Sequence, residues 1–130
     1  MPSVRCGTPK TILLVEDQDV VRALVHRVLA EEGYVVHDAR DGSHALEVAA
    51  TVEGEIDLLL TDLVMPNLGG PELAARLAAL RPIRATLFMS GYAGDTLTGT
   101  GSLPEGAQFL QKPFRPAELV ARVRAMLDDS

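Results

Sequence analysis

The sequence has a single cysteine, no long apolar run and no cluster of basic residues, and each absence excludes a class of protein. One thiol, Cys6, cannot form an internal disulfide, which suits a reducing compartment. No apolar stretch approaches the roughly 18 residues that a membrane-spanning helix needs. The N-terminal MPSVRCGTPK also lacks the apolar core of a signal peptide. We therefore expect a soluble cytoplasmic protein.

The charge balance argues against nucleic acid as a partner. The formal net charge is −6, and the lysines and arginines form no stripe along the chain. The basic surface by which proteins bind nucleic acids is thus missing. A chain of 130 residues with 47% apolar and 23% charged residues fits one globular domain. The predicted organisation is a flexible lead-in over residues 1–9 and one domain over residues 10–128.

Short apolar segments alternate with segments of helical periodicity. The predicted strands cover residues 11–15, 34–39, 56–62, 84–90 and 107–111. The predicted helices lie within residues 20–32, 41–50, 71–80 and 116–127. Asp17 or Asp19 is the candidate cap of the first helix, and Gly33 is expected to end it. Apolar strands separated by helices predict an α/β fold with a doubly wound parallel sheet and helices on both faces.

One interval does not fit this alternation. Residues 92–106 stand where a fourth helix should precede the fifth strand, but they are rich in glycine and threonine. Both residue types are unfavourable in helix interiors. We expect this helix to be weak, short or absent.

Polar side chains follow the predicted strands at one edge of the sheet. Glu16 and Asp17 follow the first strand, Asp62 ends the third, Ser90 ends the fourth and Lys112 follows the fifth. Ligand sites in open parallel sheets lie beyond the carboxyl ends of the strands, so these residues form the candidate site. Three neighbouring carboxylates repel one another, and a divalent cation such as Mg²⁺ relieves that repulsion.

A carboxylate in such a pocket can act as a nucleophile toward a phosphoryl group. Asp62 is the candidate acceptor because it stands at the tip of the buried third strand. Mg²⁺, the Lys112 ammonium and the Ser90 hydroxyl would then balance the charge on the phosphoryl oxygens.

Four segments together resemble the receiver domain of bacterial two-component signalling proteins. They are LLVEDQD, DLLLTDLVMPNLGG, LFMSGYA and FLQKPF, and they occur in the family's order. The similarity covers roughly residues 10–127 of the chain. The last two segments resemble the C-terminal receivers of hybrid histidine kinases more closely. The resemblance implies a flavodoxin-like, five-stranded sheet of order 2-1-3-4-5.

The resemblance also implies roles for individual residues. Asp62 would be the phosphoacceptor, and Lys112 and Ser90 would assist the transfer. Mg²⁺ would be held by Glu16, Asp17, Asp62 and the main-chain carbonyl of Val64. A cis peptide is implied between Lys112 and Pro113, as X–Pro bonds allow.

A conformational switch and its partners follow from the same resemblance. Ser90 and Phe109 match the residues that respond to phosphorylation in the family. A histidine kinase or phosphotransfer domain would be the phosphodonor, and a downstream protein would bind the face formed by residues 92–127. Two positions that modulate dephosphorylation in the family are Val64 and Tyr92 here. Neither carries an acid or amide that could orient water, so we expect slow self-dephosphorylation.

Three other functional classes fit less well. An inactive receiver-like scaffold would not need the complete set of polar residues described above. An aspartate-nucleophile phosphatase needs a second acid two residues after the nucleophile, where this chain has Val64. A nucleotide-binding fold needs a glycine-rich loop after the first strand, where this chain has EDQD. We expect no enzyme in the usual sense, and a stand-alone regulator and a receiver of a hybrid kinase both remain open.

Overall fold

The computed structural model describes residues 9–65, 68–90 and 107–127. The strands within those ranges are β1 (Thr11–Val15), β2 (Val35–Ala39), β3 (Ile56–Asp62), β4 (Ile83–Ser90) and β5 (Gln108–Gln111). The helices within them are α1 (Asp19–Glu31), α2 (Gly42–Thr51), α3 (Gly70–Leu80) and α4 (Pro116–Leu127). None of these helices has the length and apolar character of a transmembrane span.

The strands form one parallel sheet of order β2-β1-β3-β4-β5. The chain steps from β1 outward to β2, then returns across β1 to begin β3. The direction of strand addition therefore reverses between β1 and β3, and a crevice opens beyond their carboxyl ends. This order confirms the predicted doubly wound, flavodoxin-like fold.

The central strand β3 is buried over its whole length. It has strand neighbours on both edges, and helices cover both faces of the sheet. Leu59 packs in an apolar cluster with side chains of α2 and α3, whereas Leu58 and Leu60 pack with side chains of α1 and α4. A strand covered on both faces needs apolar residues at every position, which explains the continuous leucine run.

The predicted strand and helix limits agree with the structure to within one residue, but the predicted cap of α1 is wrong. The capping residue is Gln18, and its side chain makes no capping hydrogen bond. Asp19 is instead the first helical residue, and its carboxylate lies 2.5 Å from the Arg22 guanidinium. The end of α1 is as predicted, because Gly33 has a φ of +97°, a conformation that favours glycine.

Two predictions concern residues outside the described ranges. One is the lead-in over residues 1–9, of which the structure describes only Pro9. The other is the weak helix over residues 92–106, together with Tyr92.

Arg81 follows α3 and ties it to the end of α2. Its guanidinium donates to the carbonyl oxygens of Ala49 at 2.7 Å and Val52 at 2.9 Å, and also to that of Gly54. The last carbonyls of a helix lack partners within the helix and carry the negative end of its dipole. One cation therefore satisfies the end of α2 and holds the two helices together.

Replacing Arg81 with alanine should lower the free energy of unfolding by about 2 kcal/mol, because the carbonyls lose a charged donor. Urea denaturation followed by circular dichroism measures this loss. The matched control is Arg76→Ala, which breaks an exposed pair with Glu72 on α3 and should cost less than about 0.5 kcal/mol. Equal losses in the two variants would show that the Arg81 contacts do not stabilise the fold.

Candidate functional site

Three carboxylates converge at the carboxyl edge of the sheet. Val15 pairs with Thr61 across β1 and β3, so the residues that follow them in the chain, Glu16 and Asp62, are brought side by side. One carboxylate oxygen from each of Glu16, Asp17 and Asp62 lies within 4.8 Å of the others. Glu16 and Asp62 are buried, whereas Asp17 is exposed. The structure thus brings the three predicted acids together, with one of them facing solvent.

Lys112 enters this cluster from the end of β5. Its Nζ lies 2.6 Å from Asp62 Oδ1 and donates to Glu16 Oε1 at 2.9 Å. Its main-chain N–H donates to the Ser90 carbonyl at 2.7 Å, which anchors the lysine to the end of β4. The predicted cis peptide between Lys112 and Pro113 is present. The ammonium therefore sits between two buried carboxylates.

Burial dominates the acid–base behaviour of Asp62. It raises the pKa of this carboxyl from 3.8 to about 8; the hydrogen bond from Lys112 opposes the rise and Glu16 adds to it. Burial lowers the pKa of Lys112, but its bonds to Asp62 and Glu16 outweigh burial and hold that pKa above 10.5. A single ammonium does not balance the negative charge of the pocket.

The donor set fits a divalent metal ion. Glu16, Asp17 and Asp62 offer hard oxygen ligands, and the exposure of Asp17 leaves one side open to water. Mg²⁺ prefers oxygen ligands and keeps several of its waters. Val64, two residues after Asp62, lies at the same edge of the sheet with 68% of its surface exposed. The role of its carbonyl as a ligand remains a prediction.

Two contacts that hold Glu16 were not predicted. The Arg22 guanidinium donates to the Glu16 carbonyl at 2.9 Å, and the Gln18 main-chain N–H donates to Glu16 Oε2 at 3.0 Å. With the Lys112 bond to Oε1, both Glu16 side-chain oxygens are hydrogen-bonded. The turn between β1 and α1 is thus held against the site. The spacing of Asp19 and Arg22 in the sequence indicates an ion pair on α1, but it does not indicate the carbonyl as a partner.

The backbone after Asp62 is also held closely. The Leu63 N–H donates to the Met89 carbonyl at 2.8 Å, and the Gly70 N–H donates to the Leu63 carbonyl at 2.9 Å. A Cβ atom on Gly70 would overlap the Asp62 carbonyl oxygen and lie 3.1 Å from Leu63 Cα. The start of α3 thus packs directly on the backbone of the candidate phosphoacceptor, and only glycine leaves room for that approach.

The two predicted switch residues lie on neighbouring strands. Ser90 ends β4, one residue after Met89, which pairs with Asp62. Phe109 on β5 is partly buried, and its ring stacks on that of Phe88 with centroids 5.7 Å apart and planes 28° apart. Ser90 thus lies on the strand next to Asp62, and Phe109 lies one strand further out. Their switching roles remain predictions.

The sheet order, the acids at its point of reversal and the lysine from β5 define a receiver-type α/β domain. Residues 12–124 match the family model described as response regulator receiver domain. The chain belongs to this family of signalling domains, which confirms the resemblance.

Sequence relatives include both long and short proteins. The chain is 42% identical over 120 residues to sensor kinase CckA of Brucella abortus, a match that covers 91% of the chain but 12% of CckA. It is 36% identical over 118 residues to the response regulator receiver protein CpdR of the same organism, covering 91% of the chain and 97% of CpdR. The chain is therefore similar both to a segment of a sensor kinase and to a receiver protein of about its own length.

Solved structures show the same fold. The receiver domain of hybrid histidine kinase CckA superposes with a TM-score of 0.76 at 37% identity, covering 90% of this chain and 98% of that one. Chemotaxis protein CheY4 of Vibrio cholerae superposes with a TM-score of 0.79 at 26% identity, covering 92% and 99%. The similarity to the CckA receiver agrees with the likeness to hybrid-kinase receivers seen in the sequence.

Proposed function

We propose that this receiver domain takes a phosphoryl group onto Asp62 in a Mg²⁺-dependent reaction and thereby changes a partner-binding face. The phosphodonor would be a phosphohistidine on a histidine kinase or a phosphotransfer domain. The observation that carries the proposal is the position of the Asp62 carboxylate, buried at the strand end beside both Lys112 and the acid pair. The similarity to CckA and CpdR supports the same class of signalling role.

In the proposed reaction the ionised Asp62 carboxylate attacks phosphorus. A new P–O bond forms as the P–N bond to the donor imidazole breaks, and the imidazole leaves with the electron pair. Lys112, already 2.6 Å from Asp62 Oδ1, is placed to neutralise an incoming phosphoryl oxygen. The hydroxyl of Ser90, at the end of the neighbouring strand, would donate a hydrogen bond to a phosphoryl oxygen. Mg²⁺ held by Glu16, Asp17, Asp62 and the Val64 carbonyl would supply further charge neutralisation.

The domain would modify only itself and so would not be an enzyme in the usual sense. Turnover as a phosphatase would need a general acid two residues after Asp62, and Val64 carries none. The downstream partner would bind the face that includes β5 and α4. We place the domain in the cytoplasm, because a phosphohistidine donor and a single cysteine both suit that compartment.

Incubation with Mg²⁺ and a small acyl phosphate donor should add the mass of one phosphoryl group to the intact protein. The gain should be absent with a chelator present and in Asp62→Asn, because the reaction needs the cation and the carboxylate. Asp57→Asn is the matched control, since Asp57 is a buried acid at the other end of β3 and should leave the gain intact. Failure of the parent protein to gain mass would favour the scaffold alternative.

The lifetime of the modification tests the role of Val64. A Val64→Asn variant should lose phosphate faster than the parent by about tenfold, because an amide at this exposed position can orient an attacking water. The decay of the phosphorylated mass with time after donor removal measures the rate. A Val64→Ala variant controls for the loss of the larger side chain. Equal lifetimes for Val64→Asn and the parent would contradict the proposed brake on hydrolysis.

A further inference from the structure

Phe88 contacts both Gly70, which packs on the backbone after Asp62, and the predicted switch aromatic Phe109. The Phe88 side chain is fully buried on β4. Its Cδ1 is 3.1 Å from the position that a Cβ on Gly70 would occupy. The same ring stacks on that of Phe109. Phe88 therefore contacts both regions with one rigid group.

The contacts continue beyond Gly70 and Phe109. Gly70 begins α3 and is pressed against the Asp62 carbonyl and Leu63. The main-chain carbonyl of Phe109 accepts a hydrogen bond from the Arg122 guanidinium on α4 at 2.6 Å. An unbroken set of contacts thus runs from Asp62 through Gly70, Phe88 and Phe109 to the last helix.

We propose that Phe88 is a positioning residue that couples the backbone after Asp62 to the orientation of Phe109. The inference rests on the proposed function, because the coupling matters only if Asp62 is modified. Protein interiors are close-packed, so a shift of Gly70 against the buried Phe88 ring displaces that ring. Stacked aromatic rings favour particular offsets, so the displaced Phe88 ring changes the preferred orientation of Phe109. An aliphatic side chain at position 88 would fill space without imposing that orientation.

The test uses a fluorescent reporter in the full chain. The sequence contains no tryptophan, so Phe109→Trp introduces a single emitter at the stacked position. Beryllium fluoride with Mg²⁺ serves as a stable mimic of the phosphoryl group on Asp62. The emission of the reporter protein should change when the mimic binds. Adding Phe88→Leu to the reporter protein should reduce that emission change by at least about half. The concentration of mimic at half-saturation, measured by fluorine NMR, should stay within about twofold of that for the reporter protein alone.

The matched control is Leu87→Ala in the same reporter protein. Leu87 is the adjacent residue of β4, equally buried, but it packs in the cluster on the opposite face of the sheet. It should lower stability and leave the emission change intact. Circular dichroism confirms that each variant is folded, and Phe88→Met replaces Phe88→Leu if the latter does not fold.

The outcomes separate the coupling from the proposed function. Full emission change in the Phe88 variant, or equal loss in the Leu87 variant, would overturn the role of Phe88. Binding of the mimic without any emission change in the reporter protein would also overturn it. Absence of mimic binding, seen by fluorine NMR, would instead overturn the proposed function and with it the coupling.

Discussion

Replacing Lys112 with methionine should lower the free energy of unfolding of the metal-free protein by about 2 kcal/mol, because removing one partner of a buried ion pair leaves the other charge uncompensated. Glu16 is fully buried, and its Oε1 accepts a hydrogen bond from the Lys112 ammonium. In the Lys112→Met variant this buried carboxylate would lose that cation. Methionine keeps a chain of similar length, which limits the loss of packing. Saturating Mg²⁺ should restore most of the lost stability, since a second cation is then available to the same carboxylates.

Urea denaturation with chelator and with Mg²⁺ measures both parts of this prediction. Lys10→Met is the matched control, because Lys10 is the other lysine of the chain and lies at the amino end of β1. It should change stability little and show no recovery with Mg²⁺. A Lys112 variant as stable as the parent without metal would show that the ammonium does not compensate the buried acids.

Asp62→Asn should make the metal-free protein more stable at pH 8 by about 2 kcal/mol. The amide is neutral, whereas burial disfavours the charged form of the carboxylate that it replaces. The pKa of Asp62 is raised from 3.8 to about 8 in the folded protein. Between these pH values the folded state binds more protons at this site than the unfolded state does. The stability of the parent should therefore fall as the pH rises through this window, and the variant should lack this contribution.

Chemical denaturation at several pH values between 5 and 8, with chelator present, gives the two stability profiles. Glu53→Gln, which removes an exposed carboxylate, is the matched control and should follow the parent. The gain from Asp62→Asn should shrink in Mg²⁺, since the metal ion favours the ionised carboxylate of the parent. A parallel pair of profiles for parent and Asp62→Asn would contradict the raised pKa.

The sequence was sufficient to predict the strands and helices because periodicity and turn residues act locally. The leucine run of β3, the helical spacing in α1 and the Pro at the start of α4 each indicate an element within a few residues of its observed limits. The strand order and the individual site roles came from the resemblance to receiver domains. The α1 cap was predicted wrongly because neighbouring polar residues compete for the capping position. Asp19 forms an ion pair with Arg22 instead of capping the helix.

Several contacts between distant parts of the chain could not be predicted from the sequence. Arg81 binds carbonyls that lie 27 to 32 residues earlier, and no residue type at those positions marks a carbonyl acceptor. The close approach of Gly70 to Asp62 depends on the placement of α3 against the sheet. The raised pKa of Asp62 likewise depends on how deeply the strand end is buried, which composition does not reveal.

The central strand carries a second buried acid, Asp57, whose contacts help to fix the alignment of β3 with its neighbouring strands. At the amino end of β3, Asp57 accepts a hydrogen bond from the Thr11 N–H at 2.8 Å and lies 3.5 Å from the Arg84 guanidinium. The leucines between the two acids fill apolar clusters on both faces of the sheet. They would therefore pack acceptably if β3 shifted by one residue relative to its neighbouring strands. The acids would not, because each has its partners at only one end of the sheet. A one-residue deletion within residues 58–60 should therefore preserve the apolar character of β3 yet separate either Asp57 or Asp62 from its partners.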